Sequence, residues 1–173
     1  MTLPTAWQLT SLLGADGGRA VLPSTCALLH NPSFTDAAFD EPSVVTIAYG
    51  EFADAPGVHV MEAAGARWVE ALSGLGGAGV HLIIAYRPPG KAGGLLPAHP
   101  MVPTLAVTEA GAGDAHEGTE EDVDVLLPPD APASWLGMLL EAVGAVASGA
   151  RTPHAQCLAN VDFQIARGGA VSL

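Results

Sequence analysis

A chain of 173 residues, 49% of them hydrophobic, is long and apolar enough for one folded domain with a real core, which excludes disorder along its whole length. Eighteen Asp and Glu against six Lys and Arg leave a net charge of −12, which argues against general nucleic-acid binding and against anionic membrane surfaces. Only 14% of residues are charged, while 21 Gly and 14 Pro imply many turns and short elements.

Apolar residues at helical spacing over 6–13 predict a first helix, stopped by Asp16-Gly17-Gly18. Residues 20–29 are apolar but contain Pro23, which fits a short edge strand or an irregular segment. Residues 31–42 read as a loop, and 44–49, apolar and β-branched, as a buried strand. A short strand is expected at 58–61 and a helix over 63–75, with Gly74, Gly76 and Gly77 as its stop. The run Val80 to Tyr86 is the clearest strand, and its near-continuous apolar character predicts burial on both faces, as in a parallel sheet. A Pro- and Gly-rich loop over 87–103 follows, then strands at 104–108 and 123–127 around an acidic Gly-rich loop. After Pro128-Pro129 comes an amphipathic helix over 134–147 with Ser134 as its N-cap, and 163–166 is strand-like. Strands alternating with helices predict a single α/β domain over 1–173, three-layered, with a mainly parallel sheet in a Rossmann- or flavodoxin-like arrangement.

The first residues carry neither a basic segment nor an apolar one, so no secretory signal is read there, and no apolar run approaches the roughly 20 residues of a membrane span. Cys26 and Cys157 lie far apart and in no metal-type pair; reduced, buried thiols in a cytoplasmic protein are the expectation.

Two chemistries can be drawn from the side chains. The loop after Tyr86 holds Arg87 and Lys91 beside Gly90, two of the six basic residues, which could grip an anion such as a carboxylate; solvated loop charges are the plainer alternative. His99 and His116 flank an acidic stretch that includes Asp122 and Asp124, and these four could bind a divalent cation, although the spacing matches no zinc or EF-hand template and acidic runs are usually solvated. His59 and His81 sit in expected strands and read as buried, hydrogen-bonded histidines, and His30 and His154 sit in loops. No nucleophile elbow or activated cysteine is present in the pattern, and the glycines of 74–79 stand between helix and strand, the wrong order for a dinucleotide turn.

The order of segments resembles the C-terminal domain of the altronate/galactarate dehydratase family. Three stretches carry it: Gly57-Val58-His59-Val60-Met61-Glu62 followed by a helix and Gly79-Val80-His81-Leu82-Ile83-Ile84; Val102 to Thr108 followed by Asp122-Val123-Asp124-Val125; and Ala147-Ser148-Gly149-Ala150-Arg151-Thr152 followed by Phe163 to Gly168 and Val171-Ser172-Leu173. The resemblance implies metal-assisted removal of water from a sugar acid: a base takes the proton beside the carboxylate, a divalent cation (iron, manganese or magnesium) stabilises the enediolate, and hydroxide leaves. Family members are longer, with a small N-terminal and a middle domain that this chain lacks. The chain departs from the pattern where the family keeps polar residues. The family's Thr-Thr-Gly-Arg-Gly stands here as Tyr86-Arg87-Pro88-Pro89-Gly90, its lysine in the next strand as Ala106, its Gly-Asn as Glu109-Ala110, and its Asn-Ala-Gly as Leu126-Leu127-Pro128.

The expectation is therefore a relative of that domain acting as a subunit or assembly partner with little activity alone, in a homo-oligomer, most simply a twofold dimer, or beside a partner subunit that carries the missing domains. The alternatives are a small hydro-lyase with its own metal site, or a carboxylate-binding module built on the 87–94 loop.

Overall fold

The computed structural model describes residues 3–39, 45–63, 65, 67–88, 95–111 and 122–164. The elements in chain order are α1 (Leu3–Ala15), β1 (Arg19–Pro23), α2 (Pro32–Phe39), β2 (Val45–Ile47), β3 (Gly57–Met61), α3 (Trp68–Gly77), β4 (Ile83–Arg87), β5 (Thr104–Glu109), β6 (Val125–Leu127), α4 (Trp135–Ala147) and α5 (His154–Cys157). This is an α/β protein with parallel pairing throughout the described strands, as the alternation of elements implies. The strands form two three-stranded sheets, ordered β1-β3-β2 and β4-β5-β6, flanked by helices in a manner consistent with three layers.

Two-residue periodicity assigns the faces. In the first sheet Val21 pairs with His59, and Val21 and Met61 pack into a core with Ile47, Leu72 and Leu75 of α3, and Ile83. Leu22, one residue on, turns to the opposite side and packs with Ala6 of α1 and Phe34 of α2. The second core joins Leu105 and Val107 of β5, Val125 and Leu127 of β6, and Trp135, Leu139, Ala142 and Val146, which form one stripe of α4. Ile84 and Tyr86 of β4 pack against it, while Ile83 faces the first core. Burial on both faces explains the unbroken apolar run. The Trp135 indole N–H, fully buried, donates to the Pro128 carbonyl at 2.7 Å, so its one polar group is satisfied.

Several local expectations are corrected. Residues 32–39, read as loop, form α2: Asn31 Oδ1 accepts from the Ser33 amide at 3.0 Å, and Pro32 at the first helical position pre-sets φ. Among the described residues β2 is an edge strand, with β3 on one side only, and of its residues only Ile47 is buried. Ser134 occupies the N-cap position of α4 without capping; its hydroxyl donates to the Ala131 carbonyl instead. His154 lies in the single helical turn α5, not in a loop. His81 is exposed just ahead of β4 rather than buried within it. Residues 163–164 are not in a strand, and 165–166 lie outside the described residues.

The glycines of α3 do more than end it. Gly74, Gly76 and Gly77 are inside the helix, and the stop comes at Ala78 and at Gly79, whose φ of 80° suits glycine. A methyl at Gly77 would meet the Gly50 backbone at 3.0 Å, so the missing side chain sets how closely α3 approaches the turn after β2. Among the described residues no helix is long and apolar enough to cross a membrane.

Leu139→Ala, in the middle of the α4 stripe, is expected to cost about 2–5 kcal/mol in urea unfolding, whereas Leu140→Ala on the exposed side should stay within about 0.5 kcal/mol.

Candidate functional site

In a parallel sheet the carboxyl ends of the strands are where ligands usually meet the chain. At that end of the second sheet Arg87 closes β4, half-buried, with its carbonyl accepting from Thr108 Oγ1 at 2.8 Å. Tyr86 donates its hydroxyl to Glu109 Oε1 at the end of β5. Burial, and then the hydrogen bond to Glu109, push the Tyr86 hydroxyl well above the ordinary phenol range, so it stays a protonated donor. Of the three residues expected to hold a carboxylate, Arg87 is placed here, while Gly90 and Lys91 lie outside the described residues. The Tyr86–Glu109 pair was not signalled by the sequence: the two are 23 residues apart, and only the register of β4 on β5 brings them together.

Asp124 stands at the opposite end, one residue before β6. Its side chain is 1% exposed. Oδ2 accepts from the Ala106 amide at 2.8 Å, and the Asp124 amide returns a bond to the Ala106 carbonyl, also 2.8 Å. Oδ1 accepts from the His154 amide at 2.8 Å, at the start of α5. Arg151 completes the arrangement: its Nη2 donates to the Asp124 carbonyl at 2.6 Å and lies 3.6 Å from Oδ1. Both carboxylate oxygens are thus committed to backbone donors with a cation alongside, an environment that neutralises the charge a metal would need.

His99 is also committed. Its Nδ1 accepts from the amides of Met101 at 3.1 Å and Val102 at 3.0 Å, and its Nε2 edge presses on Gly76, where any Cβ would collide with it. In this structure Asp124 and His99 therefore serve as acceptors for backbone N–H groups. Asp122 is half-buried beside Asp124, and His116 lies outside the described residues. Among the described residues no three His, Cys, Asp or Glu side chains group so as to hold a metal ion. The described donors do not fit the divalent cation that the resemblance implies.

The remaining candidates settle simply. His59 is fully buried in β3, with Nε2 at 2.7 Å from the Ala55 carbonyl, as its position in a strand implies. Both thiols are free; Cys26 is half-buried, and burial pushes its pKa up, away from nucleophilic use. Cys157 is exposed, against the expectation of burial. An open groove of about 270 Å³ runs along the outer side of β6, lined by Leu126, Met138, Glu141, Ala145, Asp124 and Arg151.

Comparison with protein-family models, curated proteins and solved structures finds no match for this chain.

Removing the buried acceptor leaves two amides unpaired, so Asp124→Ala is expected to cost about 2–5 kcal/mol in urea unfolding. Arg151→Ala, with its partly exposed guanidinium, should cost about 1 kcal/mol or less. Equal losses for the two variants would show that the ion pair, and not the backbone bonds, does the fastening.

Proposed function

We propose that this protein is a cytoplasmic relative of the C-terminal domain of altronate/galactarate dehydratases and acts as a subunit or assembly partner, with little hydro-lyase activity of its own. One observation carries the reading. The second and third of the stretches that resemble the family, far apart in sequence, join at the Asp124–Arg151 contact, and within the second the Asp124 carboxylate grips the backbone of β5 at Ala106. These contacts join β5, the start of β6 and the end of α4, β4 pairs with β5, and Met61 of β3 shares a core with Ile83 of β4. Of the substitutions relative to the family, Tyr86-Arg87, Glu109-Ala110 and Leu126-Leu127-Pro128 fall at strand ends, where substrate-facing groups belong, while Ala106 lies inside β5. A framework of the family's kind combined with rewritten strand ends suits a chain that docks onto catalytic domains and leaves the chemistry to them. Two free thiols accord with a reducing compartment.

The test mixes the purified chain with the N-terminal and middle domains of an altronate dehydratase. Co-elution on size exclusion, with dehydration of altronate or galactarate exceeding that of either component, is the expected outcome. Turnover by the chain alone with iron, manganese or magnesium would overturn the subunit reading in favour of an independent hydro-lyase. Absence of a complex, with a carboxylate-induced rise in Tm that Arg87→Ala abolishes, would replace it with a carboxylate-binding module.

A further inference from the structure

His99 stands where three elements meet. Its amide donates to Thr104 Oγ1 at the start of β5 at 3.3 Å, and its carbonyl accepts from Gln156 Nε2 of α5, also at 3.3 Å. Its ring rests on Gly76 of α3. Gln156 Nε2 also reaches the Val102 carbonyl at 3.0 Å, so the turn over 99–102 is the piece that α5 holds. Within that turn the Met101 side chain is 84% exposed and contributes no anchoring; the bond from its amide to His99 Nδ1 holds it in place.

An imidazole nitrogen that accepts N–H bonds carries no proton. We infer that His99 is a proton-operated latch: the neutral ring holds the 99–102 turn, and with it the junction of α3, β5 and α5, and a proton on Nδ1 releases it. Protonation turns the acceptor into a donor that faces two backbone donors, so both bonds are lost at once. Among the described residues no carboxylate pairs with the His99 ring to keep it in place once protonated. The titratable side chains on the packing elements are Glu70 on α3, Glu109 at the far end of β5, His154 and Cys157 on α5, and Asp162 on the segment bridged to Ala98, whose Oδ1 accepts from the Phe163 amide; the 95–103 stretch contributes none besides His99. Glu70 is six residues from Gly76, about 9 Å along the helix, and accepts from Gln164 Nε2.

Burial lowers the His99 pKa below its ordinary 6.5. The unfolded chain therefore takes up this proton at higher pH than the folded one. The contribution of His99 to stability is full above pH 6.5 and is lost as pH falls through the lower folded value.

NMR titration of the intact chain between pH 8 and 5 tests this. The His99 ring signals and the Met101 and Val102 amide signals are expected to move together with one midpoint below 6.5, and those two amides to lose exchange protection, corrected for intrinsic rate, across the same step. In His99→Gln, which keeps an acceptor but no titrating ring, the amides should not respond. An unshifted His99 midpoint, or amides that stay protected while the ring titrates, would overturn the latch. The wild-type titration decides the matter by itself if the variant does not fold.

Discussion

Strand β4 must be buried on both of its faces, and much of the architecture follows from that constraint. Ile83 packs with Met61 and Leu72 in one core, while Ile84 and Tyr86 pack with Leu105, Val107 and the α4 stripe in the other. A strand of this kind cannot sit at a solvated face, so helices have to cover it from both sides, and parallel pairing with β5 is the arrangement that permits this. The glycines of α3 belong to the same requirement. Without side chains at Gly74 and Gly77, the helix can lie close to Tyr49, Met61 and the Gly50 backbone and close the first core.

Short parallel strands create a second requirement. β6 has only three residues, too few to hold itself on β5 by ladder bonds alone. Asp124 extends the pairing by one position: its amide and carboxylate exchange bonds with both backbone groups of Ala106, directly ahead of the Val107–Val125 pair. The other carboxylate oxygen fixes the first amide of α5, so a single side chain ties the sheet to the helical turn beyond α4. The reciprocal use of main chain and side chain explains why a charged group is tolerated at 1% exposure in a chain with so few charges.

What could be read from the sequence, and what could not, divides along the same physical line. The helices α1 and α4 and the strand β4 were legible because apolar periodicity extends over many residues, and the two-sided burial of β4 was legible because its run is unbroken. α2 was missed because Ser, Pro and Asp in 31–42 read as turn formers, while the start signal, Asn31 followed by Pro32, is only two residues long. Ser134 looked like a cap because of its type and position, but the preceding turn at Pro132–Ser134 gave its hydroxyl a nearer acceptor. The ends of the strands were not legible at all. Whether Tyr86 meets Glu109, or Asp124 meets Ala106, depends on register between segments about twenty residues apart, and no local pattern encodes register.

His99 and Asp124 show how residue types that suit metal binding also serve architecture. Both were drawn as ligands because imidazoles and carboxylates bind metals, yet both spend their lone pairs on backbone N–H groups that a tight turn or a strand start leaves without partners. Unpaired amides at such places need an acceptor, and a fold of short elements has many of them, so architecture consumes the side chains that composition offers to function. Asp124 accepts through both of its oxygens, from Ala106 and from His154. An imidazole accepts or donates according to its proton, so the bonds from Met101 and Val102 exist in only one of its two states. The junction at 99–102 is therefore conditional on the proton of one ring.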